Sequence, residues 1–81
     1  MPMSQLLLYY IPTCSFCLKV LQFMRQNNIT IPLKNRDENP QIQRELVKLG
    51  GSTQVPCLVI DGKALYESED IIAWLKANYK Q

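Results

Sequence analysis

The chain has 81 residues, enough for one small domain, and 47% of them are hydrophobic, which excludes a disordered segment. Nine basic residues against seven acidic leave a net charge of +2. The bases between 19 and 48 alternate with acids, which excludes the basic stripe of a nucleic-acid binder.

A domain of this size buries roughly 60% of its unfolded surface, so its stability should be modest. Three cysteines without a histidine speak against a disulfide scaffold and leave a closed four-ligand zinc site incomplete. Met1 to Gln5 carries no basic leader pattern, and no apolar run approaches the ~20 residues of a membrane span. The expectation is a domain in a reducing cytoplasm, without contact to membrane or nucleic acid.

In chain order, the first strand is expected over Gln5 to Tyr10. Its uninterrupted apolar run continues to Ile11 and suits a central strand covered on both faces. Cys17, Val20, Leu21 and Met24 then recur at i, i+3, i+4 and i+7, predicting a helix from Ser15 to Gln26. Asn27-Asn28 favours a left-handed cap at its end. Ile29, Ile31 and Leu33 alternate with Thr30, Pro32 and Lys34, a half-buried strand. Pro32 cannot donate to a ladder, so that strand belongs at an edge.

Asn35 to Asn39 is a polar loop, and Asn39-Pro40 reads as N-cap and first residue of a second helix. Ile42, Leu46 and Leu49 should form its buried stripe, and Gly50-Gly51 should stop it. Leu58 to Ile60 and Lys63 to Tyr66 flank Asp61-Gly62, a tight-hairpin signal. The last helix is expected to start at Ser68 as N-cap, with Glu69 and Asp70 in its first turn. Its apolar face is Ile71, Ile72, Leu75 and Tyr79. The order is β-α-β-α-β-β-α in one α/β domain spanning residues 1–81. A parallel crossover unit precedes a hairpin and closing helix, giving a four-stranded mixed sheet with helices on both faces.

Between the first strand and first helix lies Pro12-Thr13-Cys14-Ser15-Phe16-Cys17. Cys14 falls at the helix N-terminus, where unpartnered N–H groups and the helix dipole stabilise a thiolate. Two intervening residues let both sulfurs meet across the first turn, the arrangement of a dithiol redox site. Cys14 is therefore the expected nucleophile. Cys17, one turn inside and partly covered, should have the higher pKa and serve either as resolving thiol or as core packing. Cys57 reads as a buried core residue, and Trp74 as core or partly exposed surface.

Cys14-Ser-Phe-Cys17, Tyr9 five residues earlier, Thr53-Gln54-Val55-Pro56, Asp61-Gly62 and Ser68-Glu69-Asp70 together resemble a glutaredoxin of the thioredoxin superfamily, over Leu6 to Tyr79. The stretch from Leu65 to Ile72 is also similar to the N-terminal domain of glutathione transferases, in which a Glu-Ser pair grips the γ-glutamyl end of glutathione. The resemblance implies a thioredoxin-like fold with a cis peptide bond before Pro56. That bond would present the Val55 backbone to glutathione beside Cys14. It further implies a glutathione site comprising Tyr9, Thr13, Val55, Pro56, Ser68 and Glu69. For Tyr9 a core role is an equal alternative, and for Ser68-Glu69-Asp70 the alternative is plain helix capping.

Several positions depart from the family pattern. Ser15 and Phe16 stand where many members have Pro and Tyr. Ile11 stands where many have a Lys that holds the glycine carboxylate of glutathione, leaving Arg36 or Arg44 as substitute cations. Tyr66-Glu67 replaces the usual Gly-Gly. The activity implied is glutathione-dependent reduction of protein disulfides and glutathione mixed disulfides by a monomer. The second expectation is a dimer holding a [2Fe–2S] cluster through Cys14 thiolates and two glutathiones, which the loss of Pro at Ser15 favours.

Overall fold

The computed structural model describes residues 5–79. The first four and last two residues of the expected domain lie outside them, including the start examined for a targeting segment. The elements are β1 (Leu6–Tyr10), α1 (Ser15–Gln26), β2 (Leu33–Asn35), α2 (Pro40–Gly50), β3 (Cys57–Ile60), β4 (Lys63–Tyr66) and α3 (Ser68–Asn78). They form one four-stranded sheet in the order β2-β1-β3-β4. β1 runs parallel to β2 and antiparallel to β3, and β3 runs antiparallel to β4. The expected mixed sheet is thus present, with β1 inside it and β2 at an edge. No helix among the described residues is long and apolar enough to cross a membrane.

Alternation along the strands sorts the core into two layers. Leu8 and its cross-strand partner Leu58 face α1 and α3, packing with Val20, Met24, Ile29, Ile31, Ile71 and Leu75. Tyr9 and its partner Cys57 face the other way, packing with Ile42, Leu46 and Val59 beneath α2. Among the described residues eight large side chains in these layers, and Cys17 beside them, are essentially shut off from solvent.

Local signals explain most element ends. The Asn39 side chain accepts the Ile42 N–H at 3.1 Å, capping α2 above Pro40. Gly51, at φ +85°, closes that helix in the left-handed conformation. At the end of α1 the left-handed residue is Asn28, at φ +56°. Asp61 and Gly62, both at positive φ, make the two-residue turn of the β3–β4 hairpin.

Three expectations fail. The second strand begins at Leu33, not Ile29, because Pro32 offers β1 only its carbonyl, which the Leu8 N–H reaches at 3.0 Å. Ile29 and Ile31 are still buried, but in an irregular lead-in, and Leu33 at the edge is 45% exposed. Leu49 does not join the buried stripe of α2; in the last turn it is Gly50 that packs against β4, and Leu49 is 38% exposed. Ser68 is not the N-cap of α3: Glu67 is, at φ +73°, and Ser68 is the buried first residue.

Gly50 shows close packing at the end of α2. A Cβ there would collide with the Tyr66 hydroxyl and come within 2.8 Å of the ring carbon Cζ. Helix propensity alone would make Gly50→Ala stabilising by about 1 kcal/mol. Overpacking costs about 1–3 kcal/mol, so the balance should be destabilising. Urea unfolding is expected to show a lower midpoint for Gly50→Ala and partial recovery in Gly50→Ala with Tyr66→Phe. A raised midpoint in the single variant would show that the tyrosine yields freely.

Candidate dithiol redox site

Strand register gathers the site at one end of the sheet. Tyr10 pairs with Asn35, Tyr9 with Cys57, and Cys57 with Tyr66. The ends of β1, β2 and β4 and the start of β3 therefore lie side by side. The segments leaving that end are the Pro12–Cys14 turn, the turn at Arg36, the loop ahead of Pro56 and the entry to α3.

Cys14 is the N-cap of α1, with extended backbone at φ −91°, ψ 122°. Its own N–H donates to the Ile11 carbonyl at 3.3 Å, and its carbonyl accepts the Leu18 N–H at 3.0 Å. No side chain caps the helix, so the first-turn N–H groups are free to meet the sulfur. The Cys17 backbone N–H is the main reason the Cys14 pKa is lowered; the Cys17 thiol, the Phe16 N–H and the charge of Arg36 act in the same direction. Burial opposes them and loses, because Cys14 is only partly covered.

Cys17, one turn along, is fully buried. Burial pushes its thiol up to about 11, opposed by the Ile11 N–H and reinforced by the hydrogen bond and charge of Cys14. Two sulfurs of identical chemistry are thereby made unlike. One ionises readily and is open to an incoming disulfide; the other stays protonated and covered. No disulfide joins them, and Cys57 is also free and fully buried. Burial raises the Cys57 pKa. The buried Tyr66 hydroxyl lies beside its sulfur without completing a hydrogen bond.

At the same end of the sheet, leading into β3, is the loop between Gly51 and Pro56. The Val55–Pro56 peptide bond is cis, as the resemblance implied. Side chains from two directions hold this loop. Arg36 Nη1 donates to the Thr53 carbonyl at 3.1 Å, and Gln54 Nε2 donates to a Glu67 carboxylate oxygen at 3.3 Å. Arg36 is itself fixed to β1, its backbone N–H donating to the Tyr10 carbonyl at 2.8 Å, and its Nε pairs with Asp37 at 3.0 Å. That pairing holds the Asp37 carboxyl below its usual range.

The expected site residues divide. Cys14 and Cys17 share the start of α1, with Thr13 exposed in the turn before it. Val55 and Pro56 lie in the loop tied to Arg36, and Ser68 sits in the first turn of α3. Glu69 is 85% exposed and pairs with Lys19 of α1 at 3.7 Å, which links the two helix starts. Tyr9 is the exception. It is 1% exposed, faces α2, and donates its hydroxyl to Glu45 at 3.1 Å. Burial, then Glu45, raises its pKa to about 12. The core role is the one it has, because an odd step along β1 points it away from the α1 face.

Three further residues shape the site. Nothing in a polar loop marks Arg36 as the base that folds back on the sheet. Gln54 carries no signal of its own inside the Thr53–Pro56 pattern. Glu67 carried a visible signal: it stands where the family pattern has glycine, and it adopts the positive φ that glycine suits.

The glutaredoxin family model matches residues 6–65. Among curated protein sequences, none matches. Solved structures agree on the fold. The holo form of glutaredoxin C1 from Populus tremula × tremuloides is 22% identical, with a TM-score of 0.70 over 93% of this chain and 77% of that one. A delta-class glutathione transferase of Nilaparvata lugens is 27% identical, with a TM-score of 0.73 over 94% of this chain and 37% of that one. Glutaredoxin 2 of Salmonella typhimurium, solved in complex with glutathione, is 27% identical, with a TM-score of 0.70 over 86% and 32%. The chain thus spans about a third of the two longer proteins.

The opposed acidities predict one labelled cysteine. Iodoacetamide at pH 7 is expected to alkylate Cys14 alone, read by peptide mass spectrometry. The Cys14 rate should rise with pH about a midpoint lower than that of an ordinary thiol. Cys17 should react appreciably only as pH approaches about 11. Equal labelling of both at pH 7 would contradict the assignment.

Proposed function

The chain belongs to the glutaredoxin family, a family of glutathione-linked thiol oxidoreductases; from that premise we propose that it reduces glutathione mixed disulfides and protein disulfides through Cys14 and Cys17. The observation that carries this reading is the pairing of two sulfurs one helical turn apart, the partly exposed one made more acidic and the buried one less.

In the first step the Cys14 thiolate attacks the glutathione sulfur of a protein–glutathione disulfide. A Cys14–glutathione bond forms, the old S–S bond breaks, and the protein thiolate leaves and takes a proton. A low-pKa sulfur suits this work, being ionised before attack and a good leaving group afterwards. Two exits follow. External glutathione attacks the bound glutathione sulfur, releasing oxidised glutathione and the Cys14 thiolate. Alternatively Cys17 attacks the Cys14 sulfur, expelling glutathione and leaving a Cys14–Cys17 disulfide that two glutathiones then reduce.

Burial, the main cause of the raised Cys17 pKa, persists when Cys14 carries glutathione, so the external route should dominate for glutathione adducts. Once Cys14 is in a mixed disulfide, it no longer raises the Cys17 pKa through its charge and hydrogen bond. Internal attack therefore becomes easier at the moment it is needed.

Glutathione itself would lie between the two helix starts. Its cysteine residue would pair in strand fashion with the Val55 backbone, which the Pro56 bond turns toward the site. Its γ-glutamyl end carries a carboxylate for the free N–H groups of α3 at Ser68 and an ammonium for Glu69 or Glu67. Thr13 would close the site beside Cys14. Tyr9 has no place in this arrangement.

The cluster-binding reading asks one thiolate of each chain, the remaining ligands coming from a second copy and two glutathiones. Among the described residues no group of three or more His, Cys, Asp or Glu side chains is placed to hold a metal ion. Cys17 and Cys57 are shut off from solvent, so one chain offers Cys14 alone.

Cys14→Ser is expected to abolish turnover of a glutathionylated peptide in the assay coupled to glutathione reductase. Cys17→Ser should retain that activity, lose protein-disulfide reduction, and gain an adduct of about 305 Da on Cys14 by intact mass. Reversed phenotypes would exchange the roles of the two cysteines. Turnover with thioredoxin reductase and not with glutathione would overturn the choice of reductant.

A further inference from the structure

We propose that Arg36 is a positioning residue of this site: its guanidinium fixes the loop carrying Val55–Pro56 at its distance from the Cys14 helix start, so it governs how a disulfide substrate is seated. The inference rests on the glutathione-linked reading above for the identity of that substrate, and on geometry for the rest.

Three connections converge on the residue. Its backbone N–H donates to the Tyr10 carbonyl, at the last residue of β1. Its Nη1 donates to the Thr53 carbonyl, two residues before Val55. Its Nε and Nη2 reach the two Asp37 carboxylate oxygens at 3.0 and 3.3 Å, a paired contact that sets the plane of the fork. Asp37 is steadied in turn, its N–H donating to the Asn35 side chain at 2.9 Å and its Oδ1 accepting from Gln43 at 3.3 Å. A rigid strand end thus reaches across to a loop outside the sheet ladder.

Val55 packs against the layer beneath α2 and Pro56 is buried, but the exposed stretch from Ser52 to Gln54 is held by few other hydrogen bonds among the described residues. Ser52 Oγ accepts the Gln54 N–H within the loop itself. Gln54 to Glu67 is the tether on the far side. Arg36 is therefore the strut on the β1 side, the side from which Cys14 departs four residues after Tyr10. Its charge also favours the thiolates of Cys14 and Cys17.

Lysine separates the two contributions. An ammonium keeps the charge but cannot hold Asp37 by two parallel bonds and reach Thr53 from the same planar group. Glutamine loses the charge as well. Arg36→Lys is expected to raise the KM for a glutathionylated peptide about five- to tenfold with kcat within about twofold, the loss of a charge-assisted hydrogen bond to the loop. Its Cys14 should react with iodoacetamide, which needs no loop, as fast as the wild type. Arg36→Gln should show the same rise in KM and slower alkylation too. Amide hydrogen exchange at Gln54 and Val55 should quicken in both variants while that of β1 and β3 does not, which separates loop release from general destabilisation.

Wild-type KM in Arg36→Lys, or unchanged exchange at Gln54 and Val55, would overturn the proposal. So would exchange that quickens equally in β1 and β3. If the wild-type protein turns over no glutathionylated substrate, the functional reading fails separately. Exchange at Gln54 and Val55 then decides alone whether Arg36 positions the loop.

Discussion

The site depends on a difference in solvation across one turn of helix. Cys14 and Cys17 are three residues apart, yet burial is outweighed by hydrogen bonds on the first and is the main effect on the second. The helix start supplies N–H groups to the outer sulfur, and the α1–α3 core takes water from the inner one. Neither effect needs an unusual residue. Both need Cys14 to be the N-cap and not the first helical residue, because one step further along would rotate the sulfur away from the first-turn N–H groups. The extended backbone at Cys14, and the strand that sets it, therefore underlie the chemistry.

That strand holds its place because both its faces are covered. Leu8 and Tyr9 lie in opposite layers of core, so slipping β1 by one residue would exchange an aliphatic contact under α1 with a phenol bonded to Glu45. Lys34 braces the same carboxylate at 2.8 Å and comes within 6.0 Å of the Tyr9 ring, tying the edge strand to α2. Tyr9 contributes to the site indirectly, as a register marker for the strand that aims Cys14.

Much of this was legible in the residues. Asn39-Pro40, Gly51 and Asp61-Gly62 act through their own backbone preferences, and a local signal needs no knowledge of the rest of the fold. The Cys14–Cys17 spacing placed both sulfurs at the start of α1 for the same reason. What was not legible depended on distant partners. The alternation from Ile29 to Leu33 correctly marked two buried side chains, but burial does not require a ladder, and Pro32 left that stretch without one. Leu49 had the right period, but the neighbouring Gly50 takes the place against β4, which only the packed Tyr66 reveals. Tyr9 needed the strand's facing, and Arg36 needed the fold of a polar turn, to be placed at all.

Glu67 shows how such a distant partner changes the meaning of a residue. A positive φ at a non-glycine costs on the order of 1 kcal/mol, and the family pattern avoids it with glycine. Here Glu67 keeps the conformation and adds a carboxylate that accepts from Gln54. A glycine could turn the chain into α3 but could not reach the loop before Pro56. With glutamate the same turn both enters the helix and holds the far side of that loop, opposite the Arg36 strut. The two struts carry opposite charge and grip adjacent residues, Thr53 by its carbonyl and Gln54 by its amide. The segment leading into β3 is thus held by side chains from two separate turns, neither of which belongs to the sheet ladder.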